Sequence, residues 1–526
     1  MADSGLATSI APNPPRVSGS LPPLALAPLI ALSAAKLVIQ FAGITHYGFF
    51  RDELYYMACG RHLAWGYIDQ PPLIAFVAWF ARHVFGDSII ALRILPVLAG
   101  AAVVFLTGVL ARELGGGRLA QILAAVTILL APAYLAFDSF FSMNAFEPLF
   151  WLACALIAVR IARGASPRLW LAFGAISGIG LENKHTMAVF GFGVIAGLLL
   201  TGNAAILRSK WLWFGGLIAL ALAAPNLVWE SRHGWPQIGV VRNAQEYKNV
   251  QVGPLRFLGE QLLLMSPVSL PIWGAGLARL FAARDAQRRR FRFLGWSYVI
   301  VLAIFMVFDG KAYYVLPVYT ILAAAGAVAW EGFSSVLLRR LRTALVTILV
   351  LAGLATIPFG VPLLPVDTFL RYMQAFPGFN IRTERDATAP LPQLYADMFG
   401  WRNLAETVAR VYHALPAGEQ ASCAILGGNY GEAGAIDYYG PALGLPPAIG
   451  GHNSYFDWGP RNYSGECVIL IGERADRYKE FFAESQLAAV AHNPHAMPVE
   501  QNVVIYVCRK PRAPLSTLWP NFRMII

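Results

Sequence analysis

Arg51, Asp52 and Glu53 stand side by side in the stretch Thr45-His-Tyr-Gly-Phe-Phe-Arg-Asp-Glu-Leu-Tyr-Tyr56, among aromatic residues and directly after the first long apolar run. A carboxylate of this kind can take a proton from an attacking hydroxyl while neighbouring cations hold a departing anion. More acids recur in similar settings: Asp138 and Glu147 in Phe137-Asp-Ser-Phe-Phe-Ser-Met-Asn-Ala-Phe-Glu-Pro148, and Glu182 in Leu181-Glu-Asn-Lys-His-Thr-Met187. Candidate basic partners are Arg51, Arg61, Lys184, His185, His233, Arg242 and Lys311.

The elements that must position these residues are membrane helices. The chain has 526 residues, 57% hydrophobic and 13% charged, against roughly 25% charged in soluble domains. Apolar runs centre near residues 32, 100, 127, 154, 175, 194, 220, 268, 299, 321 and 352, or about eleven spans at the ~20 residues a bilayer requires. Five connecting loops are basic: 112–118, 160–168, 208–210, 284–292 and 339–342. The positive-inside rule assigns all five to the cytoplasm. The N-terminus then lies inside, and the loops 45–87 and 230–254 and everything after residue 362 lie outside. The basic excess sits in the membrane part, net +13 up to residue 365 and −2 beyond it. It therefore reflects orientation and calls for no nucleic-acid partner.

With that topology, every acid and base named above falls near an outer helix end. Opposite charges on one membrane face suit a lipid-borne phosphate, a sugar and a carboxylate base, the set that glycosyl transfer requires. Plainer roles exist for each residue. Asp52 and Glu53 suit the first turn of a helix, as cap and dipole partner, and Glu147 before a proline suits a helix start. Lys184 and His185 suit the water interface, and His233 and Arg242 a solvated loop. Tyr313 and Tyr314 suit an aromatic belt. Lys36, inside the first span, either snorkels or faces a neighbour.

The chain resembles the bacterial branch of the dolichyl-phosphate-mannose protein mannosyltransferase family, close to the lipid A aminoarabinose transferases. The residues that carry the likeness are Arg51-Asp-Glu-Leu-Tyr-Tyr56, Trp65-Gly-Tyr-Ile-Asp-Gln-Pro-Pro-Leu73, Gly178-Ile-Gly-Leu-Glu-Asn-Lys-His-Thr186 and Gly310-Lys-Ala-Tyr-Tyr-Val-Leu-Pro317, over about residues 20–330. The resemblance implies a polytopic α-helical membrane protein of the C-type glycosyltransferase fold. It implies a polyprenyl-phosphate-linked sugar as donor, transfer with inversion, and an acceptor in the cell envelope, whether lipid, glycan or protein. It makes Asp52 the catalytic acid of the first loop, with Glu53 its acidic neighbour. Arg51, Lys184, Lys311 and Tyr314 become donor-phosphate contacts, and Glu147 and Asp138 a second acidic position. Arg61, His233 and Arg242 are candidate acceptor or loop contacts. Glu147 stands where many relatives carry Asp, and a divalent metal between Asp52 and Glu147 is an option rather than a requirement, since hard cations usually gather more oxygens than two side chains supply.

The expected organisation is a cytoplasmic tail (1–20), a transmembrane part (21–364) with the outer loop 45–87, and an extracytoplasmic α/β domain (365–526). In the outer loop, residues 53–63 and a stretch from Pro71-Pro72 read as short helices, the second amphipathic and lying in the interface. In the last part, strand-length apolar runs at 423–426, 468–471 and 503–507 alternate with helical stretches over Trp401–Ala414 and Arg474–Ala489. Cys423, Cys467 and Cys508 permit a disulfide outside the cell, with no choice among them from sequence. Gly427-Gly-Asn-Tyr-Gly-Glu-Ala-Gly434 lacks the spacing of a nucleotide fingerprint and reads as a tight strand-to-helix turn. A lipid-linked-sugar transporter is the competing class; it favours mid-bilayer charges and internal repeats, and neither is evident here.

Overall fold

The computed structural model describes residues 21–526 apart from 283–284, 378–383, 386–388 and 473. The tail expected over 1–20 therefore lies outside the described residues. Among the described residues six helices are long and apolar enough to cross a membrane: Leu26–Gly43, Ile89–Glu113, Met143–Ala162, Lys210–Arg232, Ala312–Glu331 and Val336–Gly360. A bent pair, Pro254–Met265 and Pro267–Ala282, meets at 90° and makes a seventh only if counted as one broken span rather than a re-entrant loop. The break falls at Ser266, a non-glycine residue with φ +69°. The helices Arg118–Leu129, Leu169–Asn183, Thr186–Leu200 and Arg292–Val307 carry the remaining apolar runs.

Local sequence accounts for where several helices begin. Ser88 and Ser335 each accept a bond from the backbone N–H three residues on, at 3.2 Å, and so cap Ile89–Glu113 and Val336–Gly360. Small residues let the helices meet closely: at the crossing of Gly276 with Gly326, a methyl group on either would collide with the facing backbone. The core along this seam is built from Ala and Leu of the helix Tyr319–Glu331, which is almost wholly buried.

Loops segregate to two ends of the bundle. At one end Arg160 and Arg163 reach Glu113, Glu331 accepts from the Gly117 and Ala120 backbone, Arg168 lies over Trp211 and Asn203 bonds the Arg290 carbonyl. These are the basic loops, gathered as the charge alternation requires. At the other end Arg93 holds the carbonyls of Ile44 and Gly48, Asn183 bonds Met143, Asn226 bonds Trp65 and His46 meets Pro362.

That second end carries the C-terminal part. It contains a five-stranded sheet: β1 (Cys423–Gly427), β2 (Ile449–Gly450), β3 (Cys467–Ile471), β4 (Phe482–His492) and β5 (Asn502–Pro511), in the order β2-β1-β3-β5-β4. β1 and β3 are parallel and buried on both faces, which explains their unbroken apolar runs. Their first residues face each other in register and form the Cys423–Cys467 disulfide, leaving Cys508 as a buried thiol. The helix Trp401–His413 lies where expected. The helix expected over Arg474–Ala489 does not form. Residues 475–478 make one short turn, and from Phe482 the chain is the edge strand β4, paired antiparallel with β5. Ala and Glu favour a helix, but the free edge of β5 offers a ladder of backbone bonds that local propensity does not outweigh.

The outer-loop helices pack as one unit with the C-terminal part. Arg51–Arg61 crosses Leu73–Phe85 at Gly60, where a side chain would press on the backbone of Ala75 and Trp79. In the latter helix Ile74, Ala75, Ala78 and Ala81 face inward, while Phe76, Phe80, Val84 and Phe85 are exposed. Its amphipathic pattern is as expected. The helix Tyr430–Tyr439 lies on Arg51–Arg61, with Gly434 against Leu54 and Gly431 against Arg51. Both belong to one hydrophobic cluster shared with the sheet.

Candidate active site

The site is built at the start of the helix Arg51–Arg61. Glu53, at its third position, turns back to accept from the Phe50 N–H at 2.7 Å, and two acids in the first turn complement the helix dipole. Asp52 and Glu53 point different ways. Glu53 is fully buried. Arg93 grips both its oxygens at 2.8 and 2.6 Å, and the Phe141 N–H adds a bond of 2.7 Å. Every direction around this carboxylate is taken, so the expected catalytic neighbour is instead a structural anchor for the loop before the helix. Asp52 is 31% exposed and accepts one bond, from the Tyr430 hydroxyl at 2.8 Å. Burial, reinforced by Asp52, pushes the Tyr430 phenol well above its ordinary value, so it stays a donor.

Asp52 opens into a cavity of about 270 Å³. Apolar residues form one part of its wall: Phe50, Phe137, Phe140, Leu264, Ala312 and Leu394. Arg51, Lys248, Lys311, Glu384 and Tyr430 are among its polar and charged lining residues. The charges there are linked. Arg51 lies 4.0 Å from Asp52, 3.7 Å from Asp397 and 3.6 Å from Glu384. Lys248 and Lys311 each reach Glu384 at 3.5 Å. Burial opposes ionisation of Glu384, but Lys248, Arg51 and Lys311 outweigh it and pull the carboxyl down to about 2. Asp397 behaves oppositely: burial pushes it up to about 7 against the pull of Arg51, with Glu384 and Asp52 adding to the rise.

Lys184 sits at the neighbouring rim. It donates to Asn144 at 2.8 Å and to Glu147 at 3.1 Å, and lies 4.1 Å over the Tyr314 ring. Asn144 itself lines the cavity. Thr186 donates to the other oxygen of Glu147. Glu147 is thus tied to the Lys184 turn and not to Asp52. Among the described residues no group of three or more His, Cys, Asp or Glu gathers as a metal site.

Other candidates lie apart. Asp138 pairs with Lys36 at 2.7 Å, both buried, so the intramembrane lysine faces a neighbour. Arg61 donates to the Asp437 carbonyl at 2.7 Å and ties the outer loop to the helix Tyr430–Tyr439. His233 stacks on Trp229 with ring centres 4.0 Å apart, and Arg242 is exposed; neither lines the cavity. Asp69 of the Trp65–Leu73 motif accepts from Tyr55 at 2.8 Å and Asn453 at 3.1 Å, fastening the loop to the C-terminal part. Burial pushes it up to about 6.

Tyr430, Lys248, Glu384 and Asp397 do not emerge as site residues from sequence. Only Tyr430 has a local signal: Asn429 and Glu432 form a capping box that starts its helix directly after β1.

Residues 69–229 match the family described as dolichyl-phosphate-mannose-protein mannosyltransferase. A search of curated proteins finds no significant match. Among solved structures, ArnT from Cupriavidus metallidurans bound to undecaprenyl phosphate is similar with a TM-score of 0.61 and 14% identity, covering 91% of this chain and 97% of that one. Its apo form gives a TM-score of 0.61 and 13% identity, over 91% and 98%. The chain therefore shares its fold with ArnT over 91% of its length. The likeness to the mannosyltransferase family holds for residues 69–229, which include Gly178–Thr186 and the end of the Trp65–Leu73 motif but neither Arg51–Tyr56 nor Gly310–Pro317.

Proposed function

We propose that this chain is a multi-pass membrane glycosyltransferase that moves a sugar from a polyprenyl-phosphate donor to a cell-envelope acceptor. The observation that carries this is the Asp52 cavity: one carboxylate open to a space lined by both a cation cluster and apolar side chains. A lipid phosphate needs both surfaces, and a sugar acceptor needs the base. The polyprenyl chain enters along Phe137, Phe140 and Leu264, and the phosphate is held by Arg51 and Lys311. Lys184, paired with Glu147, and Tyr314 border its path.

The acceptor hydroxyl approaches Asp52. As its oxygen attacks the anomeric carbon, its proton passes to the Asp52 carboxylate, and the bond from that carbon to the phosphate oxygen breaks. The electron pair leaves with the polyprenyl phosphate, whose charge the cations hold. A single displacement inverts the anomer. Tyr430 holds one oxygen of Asp52 and leaves the other for the proton.

Topology supports an extracytoplasmic site in a cell membrane. The basic loops all lie at the opposite end of the bundle, and the Cys423–Cys467 disulfide suits an oxidising compartment. Counted with the four shorter apolar helices, the bundle makes about eleven spans. The N-terminus is then cytoplasmic and the C-terminal α/β part faces outward. The ArnT structure contains undecaprenyl phosphate, a donor-side lipid of the chemistry proposed here.

The test is mass spectrometry of envelope lipids, glycans and glycoproteins from cells with and without the protein. The expected result is one sugar substituent missing from one acceptor class. An unchanged envelope, together with transport of a lipid-linked sugar and no covalent product, would overturn the proposal.

A further inference from the structure

Arg51, Lys248 and Lys311 come from three distant parts of the chain, yet all three point at the Glu384 carboxylate, at 3.6, 3.5 and 3.5 Å. The four side chains are 7–21% exposed, and all line the cavity that Asp52 enters. Arg51 is shared with Asp52 and Asp397, but Lys248 and Lys311 converge on the same Glu384 oxygen, which is more cation than one structural ion pair needs. The Glu53–Arg93 pair nearby satisfies a buried carboxylate with one guanidinium and two backbone N–H groups. Such a surplus of donors, arranged around oxygens and open to a cavity, is the way proteins hold phosphate. A carboxylate and a phosphate present similar oxygen edges to ammonium and guanidinium groups, so one can replace the other.

Building on the glycosyl-transfer function above, we propose that Lys248 joins Arg51 and Lys311 in the seat of the donor phosphate, and that the Glu384 carboxylate is an internal competitor which the phosphate displaces. Glu384 carries a full charge at neutral pH, held ionised by Lys248, Arg51 and Lys311 together with a hydrogen bond to Gln393. The donor's phosphodiester has a single negative charge, so the exchange is nearly neutral in charge. The released monoester carries about −1.5 to −2 at pH 7 and would cling more tightly to the same cations. Return of the Glu384 side chain opposes that hold and favours product release. Glu384 thus sets the affinity of the seat for lipid phosphate without touching the reacting carbon.

The experiment is equilibrium binding of radiolabelled undecaprenyl phosphate to the purified full-length protein in nanodiscs, counted per monodisperse, folded protein. Glu384→Gln is expected to bind about tenfold more tightly than wild type, because a competing charge is gone. Lys248→Gln is expected to bind about tenfold more weakly, because one phosphate contact is lost. Glu384→Asp keeps the charge and should stay near wild type. Binding by monodisperse Glu384→Gln that is no tighter than wild type overturns the role of Glu384. Unchanged binding by Lys248→Gln overturns the role of Lys248. If wild type binds no undecaprenyl phosphate at all, the donor assignment falls, and this inference falls with it.

Discussion

Two adjacent carboxylates, Asp52 and Glu53, share one helical turn and have opposite fates. Glu53 faces the bundle, where Arg93 and two backbone N–H groups close around it. Asp52 faces the C-terminal part, bonds one phenol and keeps a third of its surface open. The comparison shows how a buried charge is made inert. Full pairing exhausts every lone pair, whereas a single neutral donor orients a carboxylate and leaves it able to accept a proton. The same contrast separates Lys36–Asp138, a closed pair inside the bundle, from the Arg51, Lys248 and Lys311 cluster, which opens onto a cavity.

Mutations can break this contrast. Asp52→Asn should lower transfer by about 10²–10⁴-fold, the usual worth of a general base, with little change in thermal stability. Glu53→Gln should do the reverse. Weakening a fully buried pair strands the Arg93 charge and costs about 3–5 kcal/mol of stability, read as loss of folded protein in thermal unfolding. If Glu53→Gln were as stable as wild type but inactive, the two residues would have exchanged roles. Tyr430→Phe removes one bond to a charged group, worth about 1.5–3 kcal/mol. Roughly tenfold or more should be lost from kcat while the protein stays folded.

The pH dependence sharpens the picture through Asp397. Its carboxyl is pushed up to about 7, so the fold keeps a proton that the unfolded chain has released above the ordinary 3.8. The native state binds more protons between those values, and stability from this group is lost as pH rises from about 4 through 7. Asp397→Asn should flatten that decline in thermal unfolding measured from pH 5 to 8; an unchanged slope would remove Asp397 as its source. The smallest effect is expected at His233, exposed and stacked on Trp229. His233→Ala should change stability by no more than about 0.5 kcal/mol and leave transfer near wild type.

Much of this arrangement is legible in the residues. Apolar runs locate the membrane helices because length and composition dominate in a bilayer, and the described residues of the basic loops gather at one end. The motif around Asp52 singles it out, and its side chain lines the cavity; its role as base belongs to the proposal. What lies beyond sequence is long-range. Lys248 and Glu384 meet through an isolated bridge between Asn249 and Glu384, and no local pattern marks either residue. Tyr430 reaches Asp52 from a helix 378 residues away in the chain. The roles of Glu53 and Glu147 are hidden for the same reason: whether a carboxylate is free or fully paired depends on Arg93 and Lys184, which tertiary packing delivers. The edge strand β4 is the one clear misreading of an element, and there tertiary pairing outweighs helix propensity.

The most direct test separates binding from chemistry in Asp52→Asn. The purified variant is loaded with a labelled polyprenyl-phosphate sugar, mixed with envelope acceptor, and followed through a single turnover. Donor binding should match wild type while sugar transfer is slower by at least about 100-fold. Transfer at the wild-type rate from a variant that binds donor normally would contradict Asp52 as the base.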